Sequence, residues 1–205
     1  MSVLVDASVR ERDVRVDLEI ATGEAVAVTG PNGAGKSTIL LLVAGLIGLD
    51  EGRVEIDGEV VATARRSVAP HLRSVGYLPQ EPSLFPHLDS VSNVAFGPRM
   101  RGASRSAART QALELLDSVG AGGLERRRPS ELSGGQAQRV AIARALAAGP
   151  RVLLIDEPLS AVDAASRDGI RDVLRSHLAG RTCLIVSHDE DDAAALTSRT
   201  IRLTR

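Results

Sequence analysis

The nine residues Gly30-Pro-Asn-Gly-Ala-Gly-Lys-Ser-Thr38 decide the fold class of this chain. They follow a short apolar run at 25–29, and their last three residues begin a stretch at 36–47 that is apolar from Ile39 onwards. Glycines within the loop let the backbone curl, so that successive N–H groups point towards one bound anion. A helix that begins at Lys36 would add the positive end of its dipole. The stretch therefore predicts a strand, an anion-binding loop and a buried helix.

The side chains of this loop fit a nucleoside triphosphate. We expect the Lys36 ammonium to neutralise the β- and γ-phosphates and the Ser37 hydroxyl to ligate Mg²⁺. Lys36 is the only lysine of the sequence. The alternative is a Gly-rich turn with a surface lysine, and the flanking strand and helix argue against it. The nucleotide-binding residues predicted here are Gly30, Pro31, Asn32, Gly33, Ala34, Gly35, Lys36, Ser37 and Thr38.

The composition of the chain excludes several classes of protein. The chain has 205 residues, 43% of them hydrophobic and 25% charged, which fits one ordinary globular domain. A net charge of −1 gives no reason to expect a nucleic-acid partner, and a single cysteine excludes an internal disulfide. No signal peptide is recognisable, and the longest apolar run, at 39–49, is too short to span a bilayer.

Strand-like and helix-like segments alternate along the chain, which predicts a mostly parallel sheet covered by helices. Three apolar strands end in polar groups at Gly30, Asp156 and His188, and such sheets bind ligands at the carboxyl ends of their strands. Segment 3–20 predicts further strands, and 54–61 predicts a hairpin about Asp57-Gly58. Helices are predicted over 36–47, 90–100, 104–119, 136–148, 166–178 and 189–198.

Two adjacent acids follow the apolar run Val152-Leu-Leu-Ile. We expect Asp156 to hold Mg²⁺ through water, and Glu157 to act as the general base that polarises the attacking water. The alternative is that both acids cap a turn before Pro158. The phosphate-binding loop elsewhere in the chain favours the catalytic interpretation.

The stretch Leu132-Ser-Gly-Gly-Gln136 predicts a second anion site, at the start of the 136–148 helix. A plain Ser/Gly helix cap would leave Gln136 unexplained. This stretch resembles the signature sequence of the ABC ATPase family. The resemblance implies that Ser133, Gly134, Gly135 and Gln136 complete the ATP site of a facing subunit, in a head-to-tail dimer of identical or paired chains that holds two ATPs.

Other positions resemble the family in order and spacing. Gln80 resembles the glutamine that approaches Mg²⁺ and the attacking water, and His188 resembles the histidine that contacts the γ-phosphate and orients Glu157. Asp163 lies in a stretch that resembles the family's loop across the dimer interface. Taken singly, these residues could be a turn glutamine, a helix cap and a strand-end histidine. The family fold is an α/β P-loop NTPase with a mostly parallel core sheet, an N-terminal antiparallel β-subdomain and an inserted helical subdomain, here about 81–149.

The chain departs from the family in two respects. No aromatic residue precedes Tyr77, whereas relatives usually stack a ring on adenine upstream of the phosphate loop. Arg12 is the nearest substitute by position, and its guanidinium could stack on the base or simply be solvated. The sequence ends at Arg205, so we expect one ABC ATPase domain over 1–205 without a C-terminal regulatory domain.

The resemblance implies an ATPase subunit that energises an importer, held at the cytoplasmic face of the membrane by a permease. The permease would dock near Gln80–Phe96, where Phe85 and Phe96 either anchor it or fill the helical subdomain. Segments 84–88, 94–102 and 132–146 look most like the subunit of molybdate importers. Sulfate, ferric-iron and polyamine importers remain alternatives. A soluble mechanical, ribosome-associated or non-hydrolysing ABC protein fits less well, because no long insertion or second cassette is visible and Glu157 and His188 are present.

Overall fold

The computed structural model describes residues 1–203, and their contacts divide the chain into two compact units. The first unit comprises 1–77, 151–157 and the described part of 178–205. The second comprises 78–150 and 158–177. The strands are β1 (Val3–Val9), β2 (Val14–Ile20), β3 (Ala25–Thr29), β4 (Glu51–Ile56), β5 (Glu59–Thr63), β6 (Arg66–Ser67), β7 (Val75–Leu78), β8 (Val152–Asp156), β9 (Thr182–Val186) and β10 (Arg199–Arg202). The helices are α1 (Lys36–Ala44), α2 (Ser90–Met100), α3 (Arg105–Ser118), α4 (Gly134–Ala147), α5 (Ala164–Leu178) and α6 (Glu190–Leu196).

An antiparallel sheet with the order β2-β1-β4-β5-β6 forms one part of the first unit. Its strands alternate buried and exposed side chains, most regularly in β2, where Val14, Val16, Leu18 and Ile20 are buried. This period of two places one face of the sheet against the core and the other in solvent. The expected hairpin about Asp57-Gly58 joins β4 to β5.

A second sheet of the first unit has the order β10-β3-β9-β8-β7. The pairs β10–β3, β3–β9 and β9–β8 are parallel, as the alternating sequence predicts. Every residue of β8 and β9 is buried, which explains why both strands are apolar almost throughout. Helix α1 packs against β8 and β9. The predicted mostly parallel core sheet is confirmed, and so is the antiparallel β-subdomain.

The second unit is helical, with α2, α3 and α4 packed on one another. Helix α2 begins at a cap in which the Asp89 side chain accepts a hydrogen bond from the Ser92 N–H. Helix α3 is capped by the preceding Ser104, whose hydroxyl accepts a hydrogen bond from the Ala107 N–H. These caps satisfy N–H groups that have no partner inside a helix.

Several helix ends differ from those predicted. Helix α1 ends at Ala44, not at residue 47, because Gly45 has a φ of 78° and its N–H turns back to the carbonyls of Leu41 and Leu42. Apolar residues continue beyond this stop, so hydrophobicity alone does not locate it. Helix α4 starts at Gly134, two residues before the expected Gln136.

A test of the antiparallel sheet compares two glycines with positive φ. A Cβ at Gly52 would lie 2.0 Å from the backbone oxygen of Asp6, whereas one at Gly58 would meet no atom within 4 Å. We expect Gly52→Ala to lower the free energy of unfolding by about 3 kcal/mol, and Gly58→Ala by only about 1 kcal/mol. Urea denaturation of both variants measures the free energies of unfolding. Equal losses of stability in the two variants would contradict the close pairing of β4 with β1 at Gly52.

Candidate nucleotide-binding site

The phosphate loop lies between β3 and α1, as predicted. Gly35 precedes the helix with a φ of 89°, and a Cβ there would come within 2.4 Å of a Val14 methyl carbon. The loop therefore needs glycine at 35 for two reasons, the backbone conformation and the close approach of β2. This approach also means that the start of β2 lies beside the loop.

Lys36, the first residue of α1, is only 6% exposed. Its ammonium donates to the carbonyl oxygens of Gly30 at 2.9 Å and Pro31 at 3.0 Å. The side chain thus folds back over the loop, and its charge faces two neutral acceptors. A phosphate placed within the loop would give this buried charge an anionic partner.

Asp156, the last residue of β8, is 5% exposed. Burial raises the pKa of its carboxyl group, and the nearby Glu157 raises it further. Hydrogen bonds from the Ser37 and Tyr77 hydroxyls and the charge of Lys36 oppose this rise in pKa. Asp156, Ser37 and Lys36 therefore form one cluster, as the sequence predicted.

Tyr77 is a member of this cluster that the sequence analysis did not assign to the site. Its hydroxyl lies 3.5 Å from the Asp156 carboxylate, and burial, followed by the charge of Asp156, raises the pKa of Tyr77 to about 12. The tyrosine therefore stays protonated near neutral pH. Tyr77 lies on β7, the neighbour of β8 in the sheet, and this pairing of strands brings it to Asp156. The spacing of the two residues along the sequence does not reveal the contact.

The donors around Asp156 fit Mg²⁺. The Ser37 hydroxyl and the Asp156 carboxylate are hard oxygen ligands, and a buried carboxylate with a raised pKa is stabilised by a divalent cation. Within residues 1–203, no group of three or more His, Cys, Asp or Glu side chains could hold a metal ion. Mg²⁺ commonly uses one or two protein ligands together with phosphate oxygens and water, so this donor set suffices for a nucleotide complex.

Glu157 and His188 form a pair at the ends of β8 and β9. The His188 Nδ1 lies 3.2 Å from a carboxylate oxygen of Glu157, whose side chain is 13% exposed. Glu157 has a φ of 47°, which is unusual for a residue with a side chain, and its N–H donates to the Val186 carbonyl at 2.9 Å. Strained backbone held by neighbouring strands is typical of functional residues. The arrangement suits a base that is oriented by a histidine.

In the signature stretch, residues 132–136, the structure differs from the expectation about Gln136. The Ser133 hydroxyl accepts a hydrogen bond from the Gln136 N–H at 3.3 Å, and the Gln136 side chain accepts from the Ser133 N–H at 3.0 Å. This is a capping box, so the view that a helix cap would leave Gln136 unexplained was wrong. The start of α4 remains open, since a Cβ at Gly134 would meet no atom within 4 Å.

Asp163 is exposed, and its carboxylate caps the turn before α5 by accepting from the Ser166 N–H at 3.0 Å. A hydrogen bond from the Ser166 side chain, followed by this one from its N–H, lowers the pKa of Asp163, and Arg139 of α4, 3.6 Å away, acts in the same direction. Gln138, also on α4, donates to the Pro158 carbonyl at 3.2 Å. Helix α4 therefore contacts both ends of segment 158–163 within the second unit.

Gln80 and Arg12 are both exposed. Gln80 follows β7 by two residues, within the second unit. Arg12 ends a 3₁₀ turn over Arg10–Arg12, two residues before Val14, the residue that contacts Gly35. Arg12 therefore precedes the start of β2, which lies beside the phosphate loop, and its role as an adenine contact stays a prediction.

The two phenylalanines lie together in the second unit, with ring centroids 4.7 Å apart. Arg144 of α4 lies 5.1 Å from the centre of the Phe85 ring. The buried Asn93 side chain accepts from the Phe85 N–H and donates to three carbonyls of 85–89, which holds this segment in place. Phe96 is 40% exposed and lines a groove of about 300 Å³ beside α2 and α3. The groove is lined by Val91, Ala95, Phe96 and Met100, with His87, Arg99, Arg105 and Arg109 beside them.

Comparisons with known proteins agree with this geometry. The family model described as "ABC transporter" matches residues 14–160. The chain belongs to the ABC transporter family. A molybdenum import ATP-binding protein of Mycobacterium tuberculosis is 48% identical over 96% of this chain and 56% of its own length. A ferric-ion import ATP-binding protein of Streptomyces avermitilis is 50% identical over 91% of this chain and 53% of its own length.

The chain thus spans about half the length of these curated relatives. A solved dimeric ATP-binding cassette, in a post-hydrolysis state with ADP and Pi, superposes with a TM-score of 0.88 at 33% identity and covers 100% of this chain and 94% of its own. Over the described residues, no helix is both long and apolar enough to cross a membrane.

The opposite pKa shifts of two aspartates predict opposite effects of pH on stability. The folded state raises the pKa of Asp156, so ionisation of this group opposes folding, and the loss of stability appears as the pH rises through its pKa. The folded state lowers the pKa of Asp163, so its ionised form favours folding, and that gain is lost as the pH falls through its pKa.

We therefore expect Asp156→Asn to raise the melting temperature of the nucleotide-free protein at neutral pH, and Asp163→Asn to lower it. The Asp156 difference shrinks as the pH falls towards the unfolded-state pKa of aspartate, about 3.9, whereas the Asp163 difference persists down to that pH and shrinks only below it. Calorimetric melts across this range test the signs. A lower melting temperature for Asp156→Asn at neutral pH would mean that the hydrogen bonds from Ser37 and Tyr77 and the charge of Lys36 outweigh the cost of burying the carboxylate.

Proposed function

We propose that this chain is the ATP-binding and ATP-hydrolysing subunit of an ABC importer, in which its two compact units act as one ATPase domain. One observation carries the proposal. The phosphate loop with Lys36, the Asp156–Ser37 cluster and the Glu157–His188 pair all stand at the carboxyl ends of neighbouring parallel strands. Together they provide phosphate binding, metal ligands and a base, the three requirements of phosphoryl transfer to water.

The described side chains suggest how hydrolysis proceeds. The loop N–H groups and Lys36 hold the triphosphate, while Ser37 and Asp156 would hold Mg²⁺. When bound, Mg²⁺ would neutralise charge on the phosphate oxygens. Glu157 accepts a proton from a water that attacks the γ-phosphorus, and the bond from that phosphorus to the β,γ-bridging oxygen breaks to release ADP. His188 holds the Glu157 carboxylate in the orientation that this step needs.

We propose that two copies of this chain, or this chain and a paired subunit, share two ATP sites. Ser133, Gly134, Gly135 and Gln136 would contact the γ-phosphate of the ATP bound to the partner, with Asp163 beside them. The start of α4 supports this proposal, because Ser133 and Gly134 are exposed and the capping box holds the first turn of the helix, whose dipole favours an anion. The solved relative is dimeric. Arg12 would stack on adenine.

The candidate solutes are those that the names of the relatives give, namely molybdenum, ferric ions and sulfate or thiosulfate. We propose molybdate, because a molybdenum import protein matches 96% of this chain; ferric iron and sulfate are alternatives on similar grounds. The chain would work at the cytoplasmic face of the membrane, bound to its permease.

The permease would dock beside Gln80–Phe96. The groove next to Phe96 joins an apolar floor to three arginines, a combination that fits a segment with apolar and acidic side chains. Asn93 and Arg144 hold Phe85 beside this groove, so the surface is formed before a partner arrives.

Replacement of the proposed base tests the hydrolytic role. We expect Glu157→Gln to lose at least about 100-fold in ATP turnover, since the water would lack a proton acceptor. The variant should then accumulate as an ATP-bound dimer, visible by size-exclusion chromatography with light scattering. Lys36→Ala in the same background is the control and should stay monomeric with ATP. Undiminished turnover by Glu157→Gln would show that another group is the base.

Charge reversal tests the docking surface. The triple variant Arg99→Glu, Arg105→Glu and Arg109→Glu should lose most of the permease-stimulated ATPase activity, because an acidic segment would be repelled. Basal activity should be unchanged. Arg126→Glu, an exposed change of the second unit outside the groove, is the matched control. Full stimulation of the triple variant in vesicles with the permease would exclude this groove.

A further inference from the structure

Arg73 is an unusual buried charge in the first unit. It lies between the 3₁₀ turn Pro70–Leu72 and β7, and only 2% of it is exposed. An arginine side chain carries five N–H groups. Five hydrogen bonds leave this guanidinium, to the carbonyls of Val68 at 2.9 Å, Leu42 at 2.8 Å, Val43 at 3.0 Å and Val61 at 3.3 Å, and to the Ser67 hydroxyl at 2.8 Å.

All five acceptors are neutral, so Arg73 gains no carboxylate partner in return for its desolvation. Burial accordingly lowers the pKa of the guanidinium. A charge held at this cost by backbone oxygens fixes the elements that supply them, because removing it would leave several buried carbonyls without donors.

Two of these carbonyls, at Leu42 and Val43, belong to the last turn of α1. The negative end of the helix dipole lies there, and a cation is favourable at that position. The other acceptors belong to β5, to β6 and to the residue that follows β6. A Cβ at Gly45 would lie 2.5 Å from the guanidinium carbon, so the glycine that ends α1 also makes room for Arg73. Arg73 thus ties the end of α1 to the antiparallel sheet.

The opposite end of α1 carries the phosphate loop. There, Gly35 packs against Val14, and the Lys36 ammonium is bound to loop carbonyls. With nine residues, α1 is about 13 Å long. A tilt of about 5° at its distal end would therefore move the loop N–H groups by about 1 Å, and displacements of that size reduce binding and rate substantially.

We propose that Arg73 is a positioning residue of the nucleotide site, which sets the direction of the phosphate loop by holding the far end of α1 on β5 and β6. The inference rests on the proposed function, in which the start of α1 binds phosphate. Arg73 touches neither nucleotide nor metal and acts through the helix. Arginine suits the task better than lysine, whose three donors cannot reach five acceptors.

Mg-ADP affinity measured by isothermal titration calorimetry tests this inference without turnover. We expect Arg73→Met to raise the Kd about tenfold and Arg73→Lys about threefold, because lysine restores part of the clamp. In steady state, the KM for ATP should rise more than kcat falls. All measurements are made at a temperature well below the melting temperature of each variant. If Arg73→Met does not fold, the Kd and melting temperature of Arg73→Lys decide.

Two controls separate positioning from stability. Arg101 makes a similar clamp at the end of α4, where it donates to the carbonyls of Ala147 at 2.9 Å and Gly149 at 3.2 Å. Arg101→Met should leave Mg-ADP affinity unchanged, because α4 does not carry the phosphate loop. The core variant Val5→Ala should lower the melting temperature without changing the Kd.

An unchanged Kd in the Arg73 variants, with only a lower melting temperature, would reduce Arg73 to a structural role. An equal rise in the Kd of the Arg101 or Val5 variant would also overturn the inference. If wild-type protein bound no Mg-ADP, the proposed function itself would fail, which is a different outcome from normal binding by wild-type and variants alike.

Discussion

The parallel pairing of β3, β9 and β8 is the constraint on which the candidate site depends. In this register Val28, Val186 and Asp156 stand side by side, so the residues that follow emerge at one edge of the sheet. The Ser187 N–H donates to the Val28 carbonyl and the Glu157 N–H to the Val186 carbonyl, which extends the ladder into the functional segments. A shift of one residue in any pair would turn the acids away from the phosphate loop.

Much of this edge could be predicted because its residues carry local signals. The loop glycines, the wholly apolar strands and the polar residue after each strand define a nucleotide-binding α/β fold. Partners that meet only through folding could not be predicted in this way. Tyr77 meets Asp156 from the neighbouring strand, 79 residues earlier in the chain, and Arg73 reaches carbonyls about thirty residues away. Gln136 resembled a ligand contact, yet its side chain first closes a cap, a role that depends on helix α4 starting at Gly134.

Charge distribution explains why the first unit suits a magnesium nucleotide. Lys36 is buried against neutral oxygens, and burial disfavours ionisation of Asp156. A triphosphate with its cation would supply the missing partner of each, so binding energy is available where the chemistry takes place. We propose that the Glu157–His188 pair directs the attacking water, while the substrate compensates the charges of Lys36 and Asp156. The geometry of the proposed site does not identify the transported solute, because its residues would contact phosphate, metal and water.

We propose that one chain holds only part of each ATP site and that the partner supplies the rest. Complementation between two inactive variants tests it most directly, with Lys36→Ala in one chain and Ser133→Arg in the other. A mixed dimer pairs the intact loop of one chain with the intact signature of the other. Random mixing should therefore restore up to about a quarter of wild-type ATPase activity. A mixture as inactive as its components, despite mixed dimers detected by cross-linking, would contradict the shared site.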